Sequence, residues 1–355
     1  MKKGALLLAV LMCLGASATA SSASTASAVA PRITGKSVVS EKAAARAVNY
    51  WTPRRMANAV PLDLGVIPGG PEPAVEPATE RYGYTGGDAV SKAIAEAAAV
   101  TPRQDYWRQS TTAMPVRAIG RIYMRAWDYS RQQWYNSSCS GTVVAAENKS
   151  TVWTAGHCLY DTYGNFYNRN IAFCPAYRDS DGRPEWEYED CQLGVWAVKY
   201  RTVPPEWRNN ICTSSGCTNA EYQSDFGAMT LRPYGSTLIQ NHTGSHILRY
   251  GVNTGAHYSF GYPAEAPYDG RWLYYCYADI FADHGHLMIE CGATGGHSGG
   301  PWLGPWNSTT GRSYLDSVNS HAYRPGQTGY GWMHGPKQGV IAERLYDLMR
   351  NQNPY

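Results

Sequence analysis

The sequence predicts an all-β domain over most of the chain, beginning near Ile119 and preceded by a separate N-terminal segment. From Ile119 onward, short runs of β-branched and aromatic residues alternate with turns, and no amphipathic helix lies between them. The 36 glycines and 21 prolines favour many turns and few long helices. The 27 tyrosines and 12 tryptophans, against 5 phenylalanines, are typical of β-rich surfaces. Consecutive strands without helices between them predict an antiparallel sandwich or barrel.

Individual elements follow from local patterns. The chain ends with KQGVIAERLYDLMR, which predicts a C-terminal helix with Ile341, Leu345 and Leu348 on one face. The predicted strands are Arg121–Arg125, Thr142–Ala145, Thr151–Thr154, Gly194–Tyr200, Phe226–Leu231, His246–Tyr250, Arg271–Ala278, His286–Cys291 and Tyr314–Asn319.

The first 30 residues have the pattern of a secretory signal peptide. Lys2 and Lys3 precede the apolar run Ala5–Leu14, which is too short to span a bilayer. Cleavage sites of the A-x-A kind lie at Ala18–Ala20 and Ala28–Ala30, and both remain open. No later stretch approaches 18 apolar residues, so we expect a secreted, soluble protein without a membrane anchor.

Residues 31–115 differ from the β-rich part and contain no cysteine. Helices are predicted at Ser40–Tyr50 and at Asp88–Val100, where Asp88 is a plausible N-cap. The proline-rich stretch Val66–Pro77 between them predicts a linker. We interpret 31–115 as a propeptide before a catalytic domain at 116–355, with an accessory domain or a stalk as the alternatives.

The cysteine count predicts disulfides. One of the nine cysteines, Cys13, lies in the signal peptide, and an even number in an exported chain is typical of disulfide bonding. A zinc site is the alternative, but the sequence has no CxxC pair. Short gaps favour pairing between neighbours: Cys139–Cys158, Cys174–Cys191, Cys212–Cys217 and Cys276–Cys291.

The stretch Gly292–Pro301, GATGGHSGGP, places Ser298 among five glycines. Glycines let main-chain N–H groups turn toward a common point, and a hydroxyl beside such donors suits acyl transfer. The alternative is an ordinary glycine-rich surface loop.

A serine nucleophile needs a general base and a group that orients the base. His157, in TVWTAGHCLYD, follows a predicted strand and adjoins a cysteine. Asp225 opens DFGAMTL, a small and apolar strand. By contrast, Asp179 and Asp181 in RDSDGRPE have the pattern of turn residues, with a calcium loop as a weak alternative.

The segments TAGHC, SDFGAM and GGHSGGP, in that order, resemble the chymotrypsin-like serine proteases, especially their secreted bacterial branch. That branch includes V8-like glutamyl endopeptidases and actinobacterial trypsin-like peptidases. The resemblance implies two six-stranded antiparallel Greek-key β-barrels with the site between them, followed by a C-terminal helix. It implies that His157 is the general base, Asp225 the orienting carboxylate and Ser298 the nucleophile. The N–H groups of Gly296 and Ser298 would form the oxyanion hole.

This resemblance also implies a secreted endopeptidase that acts on peptides or proteins. We expect a monomer with no cofactor and no metal. The low charged fraction of 17% and the net charge of +3 do not favour nucleic-acid binding.

Several positions depart from the best-known members of that family. His297 stands where animal members have the aspartate that captures a new N-terminus. Gly292 stands where trypsin has its specificity aspartate, so a trypsin-like preference is not supported. Ala293, with Thr294 beside it, stands where V8-like enzymes have a threonine that binds a substrate carboxylate. Glutamate specificity therefore stays open.

The resemblance also points to the specificity pocket. Val318–Tyr323 is expected to form one of its walls, so that Ser320, His321 and Ala322 would contact substrate together with residues 292–294. The alternative for His321 is a solvent-facing strand residue.

Two other functions are alternatives to this one. GHSGG also fits the nucleophile elbow of α/β-hydrolases, but that motif needs a following helix and a histidine after the serine. Here GGPWLGPW follows Ser298, and TAGHC precedes it. The second alternative is a protease-like binding protein without turnover.

Overall fold

A computed structural model describes Met1 and residues 35–62, 65–67, 79–85, 100–178, 191–210, 212–283, 285–307, 310–323 and 330–355. By its internal contacts the chain divides into Met1–Arg32 and Ile33–Tyr355, and the fold below belongs to the second unit. Four predictions lie outside the described residues: the signal peptide apart from Met1, nearly all of the helix at Asp88–Val100, the linker beyond Ile67, and the turn at Asp179–Asp181.

Strands dominate the described residues. In chain order they are β1 Ser37–Val38, β2 Val60–Pro61, β3 Arg81–Tyr82, β4 Arg103–Tyr106, β5 Ile119–Asp128, β6 Gln133–Val144, β7 Thr151–Thr154, β8 Tyr160–Asp161, β9 Phe166–Tyr167, β10 Arg169–Pro175, β11 Trp196–Thr202, β12 Gly227–Leu231, β13 Ile247–Tyr250, β14 Gly255–Gly261, β15 Tyr274–Asp283, β16 His286–Glu290, β17 Pro301–Asn307, β18 Arg312–Val318, β19 His321–Ala322 and β20 Trp332–Pro336. The helices are α1 Glu41–Tyr50, α2 Pro53–Ala57, α3 Pro205–Arg208, α4 Asn219–Tyr222, α5 Ile239–Thr243 and α6 Val340–Met349, with a 3₁₀ turn at Val116–Ala118.

The first half of the fold is a closed barrel. Six antiparallel strands pair in the order β5-β6-β7-β12-β11-β10, and β10 returns to β5. Strands β7 and β12 are buried along their whole length. Closure removes free strand edges, and it holds the segments after β7 and before β12 side by side.

The second half is a long sheet in the order β19-β20-β16-β15-β14-β17-β18-β13-β3. Burial alternates along β15, where Cys276, Ala278 and Ile280 face the core. One pair in this sheet, β13 with β18, is parallel, which the expectation of antiparallel barrels did not include. The predicted all-β architecture is confirmed, as one closed six-stranded barrel and a second sheet.

Residues before the β-rich part also belong to this unit. Helix α1 begins where the sequence predicts, because the Ser40 Oγ accepts a hydrogen bond from the Ala43 N–H. Strand β1 pairs with β11, β2 with β6, β3 with β13 and β4 with β15. The segment before residue 116 therefore adds strands to both sheets.

Helix α6 confirms the predicted C-terminal helix, with a different buried face. The fully buried positions are Ala342, Leu345, Tyr346 and Met349, whereas Ile341 and Leu348 are half-buried. On this buried face, the Tyr346 hydroxyl donates to the Ala145 carbonyl at 2.6 Å.

Four disulfides join cysteines that are neighbours in the sequence: Cys139–Cys158, Cys174–Cys191, Cys212–Cys217 and Cys276–Cys291. The first connects β6 to the turn after β7, beside His157. Among the described residues, no helix combines the length and the apolar character needed to cross a membrane.

Candidate active site

His157 and Asp225 form a buried pair at the end of the barrel. His157 lies in the turn after β7, and its main-chain N–H donates to the Asp225 Oδ1 at 2.8 Å. The His157 Nδ1 lies 2.8 Å from the Asp225 Oδ2. Because a carboxylate only accepts hydrogen bonds, the proton of a neutral His157 ring belongs on Nδ1, and Nε2 carries the lone pair. This is the tautomer that a general base requires.

Asp225 accepts a third hydrogen bond, from a second residue. The Ser320 hydroxyl, just before β19, donates to the same Asp225 Oδ2 at 2.6 Å. The aspartate is fully buried, so these three donors compensate for its lost hydration. A Cβ on Gly156 would lie 3.1 Å from the Asp225 Oδ1, so the backbone next to His157 approaches the carboxylate closely.

Ser298 lies in a tightly held turn that leads into β17. Its carbonyl accepts the Ser140 N–H at 2.7 Å, and the Ser140 hydroxyl donates to the Gly296 carbonyl at 2.9 Å. Gly299 has φ +78°, and a Cβ there would meet the Thr154 Oγ1 at 2.1 Å. Only glycine fits this turn, which explains part of the glycine density around the serine.

The same contacts bring Ser298 to the His157 side of the site. The Ser298 carbonyl lies 3.8 Å from the Cys158 Sγ, next to His157 in the chain. Cys158 is in turn bonded to Cys139 on β6, one residue before Ser140. The turn that carries Ser298 therefore lies next to the turn that carries His157, which Asp225 contacts.

Two main-chain donors lie within this turn. In the described part of the chain, the N–H groups of Gly296 and Ser298 donate to no protein acceptor, whereas that of His297 donates to the Thr294 carbonyl. Gly296 has φ +92°, which turns the backbone away from a regular strand. Neighbouring N–H groups in such a turn form a concavity that suits an anion.

His297, directly before the serine, is an uncharged core residue. Ser259 donates to the Asn319 Oδ1 at 2.6 Å, so its oxygen accepts from the His297 Nε2–H at 3.1 Å. Full burial lowers the pKa of His297 to about 3. The ring is therefore neutral at pH 7 and carries no charge next to the nucleophile.

His321 lies inside the protein rather than on an open pocket wall. Its ring is 2% exposed and stacks between Tyr222, at 4.1 Å, and His334, at 5.0 Å. The His321 Nδ1 lies 3.2 Å from the Ser320 oxygen, which accepts because its own proton goes to Asp225. Burial, followed by the charges of neighbouring histidines, holds the pKa of His321 well below its usual value.

Other predicted pocket residues also have protein partners. The Gly292 N–H donates to the Gln104 Oε1 on β4 at 2.9 Å, and the Thr294 hydroxyl donates to the Glu265 carbonyl at 2.9 Å. Ala293 belongs to the core of the second sheet, and Ala322 packs against that core.

A cavity of about 800 Å³ opens beside His157. It lies between the loop after β5 and the hairpin formed by β8 and β9. Its walls are rich in aromatic side chains, including Trp127, Tyr129, Tyr135 and Tyr160. Aromatic side chains of this kind are typical of the walls of ligand-binding clefts.

Two groups of His, Cys and Glu in the described residues have potential metal-binding atoms close together, around Cys139–Cys158 and Cys212–Cys217. In both groups the sulfurs are oxidised to disulfides and are not thiolate ligands.

Sequence reasoning missed several residues that shape the site. Ser140, Tyr222 and Asn319 hold the serine turn or the stacked histidine, and Ser320 binds Asp225 rather than facing only substrate. Ser320 and Asp225 are separated by 95 positions. No local pattern indicates contacts over such distances.

Comparisons with solved structures agree with this geometry. The protease Anisep of Arthrobacter nicotinovorans is 30% identical over 67% of this chain and 97% of its own, with a TM-score of 0.54. The thermostable serine protease AL20, from an extremophilic microorganism, is 28% identical over 67% of this chain and 98% of its own, also at 0.54. A Glu endopeptidase shares the fold at 18% identity and a TM-score of 0.51, covering 70% of this chain and 97% of its own. No protein-family profile and no curated protein sequence matches the chain.

Proposed function

Because the chain belongs to the chymotrypsin-like serine proteases and is a serine endopeptidase, we propose that it cleaves peptide bonds through an acyl-enzyme intermediate on Ser298. The observation that carries this proposal is the pair of 2.8 Å contacts between His157 and Asp225, next to the Ser298 turn. Its substrates are peptides or proteins.

In the first step, the Ser298 Oγ attacks the substrate carbonyl carbon and its proton passes to the His157 Nε2. His157 then gives this proton to the departing amine, and the C–N bond breaks. Water attacks the acyl-enzyme in the second step, with His157 again accepting and returning a proton. Asp225 stays ionised throughout and holds the imidazole in the tautomer assigned above.

We assign the oxyanion hole to the N–H groups of Gly296 and Ser298. Both donors lack a protein acceptor among the described residues, as a site for a developing negative charge requires. One such donor contributes about 3 to 4 kcal/mol to the stability of the transition state.

We further propose that the chain is exported and processed. Residues 1–30 would be removed as a signal peptide and 31–115 as a propeptide, leaving 116–355 as a monomeric extracellular enzyme. The four disulfides support an oxidising destination. N-terminal sequencing of the secreted form tests both boundaries.

Four residues of the predicted specificity pocket have protein partners or are buried. Gly292, Thr294 and Ser320 are engaged by protein groups, and His321 is buried. Cleavage of a peptide library by the mature enzyme, read at the residue before the cut, measures the preference directly.

Reaction with a serine-directed covalent inhibitor tests the proposed function. We expect one adduct per molecule of mature enzyme. Ser298→Ala should form no adduct and should lower kcat about 10⁶-fold. Ser150→Ala is the matched control, because Ser150 is also buried but lies at the opposite end of β7. A mature, folded sample that takes no label would instead favour the protease-like binding protein. The α/β-hydrolase alternative fails, since strand β17 follows Ser298 where that fold has a helix.

A further inference from the structure

A buried arginine on strand β5, Arg121, connects the barrel to a loop in the second half of the fold. Its side chain is 3% exposed. One end of its guanidinium group donates to the Ser138 hydroxyl on β6 at 2.7 Å, and the other end donates to the Gly270 carbonyl at 3.0 Å. Gly270 ends the loop of residues 263–270, between β14 and β15, which we call the brace. Arg121 therefore ties the brace to the barrel.

Arg121 carries its charge inside the protein without an acidic partner. No carboxylate in the described part of the chain pairs with it. The rings of Tyr123 and Tyr177 lie against it instead, each with its centroid 4.9 Å from the guanidinium carbon. Burial of a charge among neutral partners costs free energy of folding. Arg121 thus makes, at a cost in stability, two hydrogen bonds that an apolar side chain of similar length could not make.

The brace contacts residues 292–296, the segment just before the serine turn. Its own ends are joined, because the Gly270 N–H donates to the Pro263 carbonyl at 2.8 Å. Three hydrogen bonds connect the brace to the segment: the Ala264 N–H to the Gly295 carbonyl at 2.8 Å, the Thr294 hydroxyl to the Glu265 carbonyl at 2.9 Å, and the Tyr268 hydroxyl to the Gly292 carbonyl at 3.3 Å. The brace therefore supports this segment from its beginning to Gly295.

Gly296, one of the two proposed oxyanion donors, is packed against the start of the brace. A Cβ on Gly296 would lie 2.6 Å from the Tyr262 carbonyl oxygen and 3.1 Å from the Ala264 nitrogen. The Ser140 hydroxyl, which binds the Gly296 carbonyl, also accepts the Tyr262 N–H at 2.9 Å. A displacement of the brace would therefore also displace the Gly296 N–H.

We propose that Arg121 is a positioning residue for acyl transfer, which keeps the Gly296 N–H aimed at the developing oxyanion by tying the brace to the barrel. This inference rests on the proposed function, in which Gly296 and Ser298 are the oxyanion donors. A guanidinium suits the position because its rigid, planar fork donates in two directions at once. The oxyanion forms only in the transition state, so Arg121 acts on kcat rather than on substrate binding.

Two substitutions of Arg121 in the mature enzyme test this role, with fluorescein-labelled casein as the substrate. Arg121→Met keeps an unbranched stem and removes both hydrogen bonds. We expect kcat to fall about 10- to 100-fold and KM to change less than about 2-fold, because a misplacement of about 1 Å costs a factor of this size. Arg121→Lys keeps the charge, but one ammonium cannot reach both acceptors, so kcat should fall about 3- to 10-fold.

Parental kcat in both variants, or a loss confined to KM, overturns the proposal. Urea unfolding shows whether each variant is folded, and if Arg121→Met is not, Arg121→Lys decides alone. Arg125→Met is the matched control, because Arg125 lies on the same strand and donates to a main-chain carbonyl outside the brace, that of Trp134, at 2.9 Å. Its kcat and KM should equal those of the parent. An equal loss in this control would show that Arg121 has no specific role.

A double-mutant cycle tests whether Arg121 acts through the brace. Thr294→Val removes the hydroxyl that binds the Glu265 carbonyl and keeps the branched shape of the side chain. We expect Thr294→Val to lower kcat by a factor about 3-fold smaller in the Arg121→Met background than in the parent, because both changes loosen the same contact. Losses that simply multiply would show that Arg121 acts by another route, and would overturn the proposal.

Hydrogen exchange separates failure of this inference from failure of the proposed function, because it needs no turnover. In full chains that carry Ser298→Ala, exchange is measured by mass spectrometry on peptides covering residues 263–270. We expect the Ala264 and Gly270 N–H groups to exchange about 10-fold faster after Arg121→Met, because their hydrogen bonds are no longer held by the barrel. Unchanged exchange overturns the role of Arg121, whatever the rates of hydrolysis. Faster exchange, with no hydrolysis by any chain that keeps Ser298, retains Arg121 as the anchor of the brace and overturns the catalytic assignment.

Discussion

Substituting His297 by glutamine should make the folded protein less sensitive to acid between pH 7 and pH 5. The His297 ring is fully buried and donates one hydrogen bond, from Nε2 to the Ser259 oxygen at 3.1 Å. A glutamine amide is also a donor and has a similar length, so it can keep this bond. Glutamine does not titrate, and the substitution therefore removes a proton-binding group while retaining the packing.

The magnitude follows from the pKa of His297. Burial lowers it from 6.5 to about 3, so between these values the unfolded chain binds a proton that the folded chain does not. The contribution to stability is fully present above about pH 6.5 and declines as the pH falls toward 3. At pH 5, which is about 1.5 pH units below the pKa of the unfolded chain, the loss of stability is about 2 kcal/mol at 1.36 kcal/mol per unit. The buried rings of His246 and His334 have pKa values lowered to about 4, so they also reduce the stability of the fold as the pH falls. This contribution is the same in the parent and in His297→Gln.

Urea unfolding at pH 7 and pH 5 measures this effect, with Ser298→Ala in every chain to prevent self-digestion. We expect the free energy of unfolding to fall about 2 kcal/mol less in His297→Gln than in the parent. His242→Gln is the control, because that ring is only half-buried and should change the difference less. An equal fall in the parent and in His297→Gln would show that His297 is already protonated, or hydrated, in the folded state.

Two further predictions concern the catalytic pair and its support. Asp225→Asn should leave the fold intact and lower kcat by about 10⁴-fold, because an amide N–H facing the His157 Nδ1 favours the wrong tautomer. Circular dichroism and steady-state kinetics check this, and near-parental activity would mean that another group orients His157. Replacing Cys139 and Cys158 together by serine should cost about 3 kcal/mol of stability and lower kcat/KM, because the disulfide anchors the turn that bears His157. Urea unfolding and kinetics measure both effects, and unchanged kcat/KM would refute the role of this disulfide in positioning His157.

Local patterns in the sequence indicated the chemical motifs and many of the strands, but β10, β14 and β17, of seven residues each, were not predicted, and only the end of β6 was. Strand β7 was predicted with its exact bounds, Thr151–Thr154, because β-branched and aromatic side chains favour the strand conformation. The Ser40 cap likewise determined where α1 begins. The three motifs around His157, Asp225 and Ser298 were recognisable because each is only a few residues long.

Other features depend on contacts between distant parts of the chain. Strands β1 to β3 have two residues each, too few to show the two-residue period of a strand, and they form only because a longer strand offers its edge. Which apolar face of α6 is buried depended on the surface that the helix packs against, and Tyr346 on that face donates to the Ala145 carbonyl.

The sequence by itself determined the fold class, the cysteine partners that the short gaps favoured, and the residues on which catalysis is proposed to depend. The tertiary structure decided that the Ser320 hydroxyl binds Asp225, that His321 is buried in a stack of rings, and that Val60 and Leu62 line the cavity beside His157. The physical reason is range. Propensities, caps and turns act over a few neighbouring residues, whereas a hydrogen bond between positions 225 and 320 exists only after the barrel and the second sheet have folded.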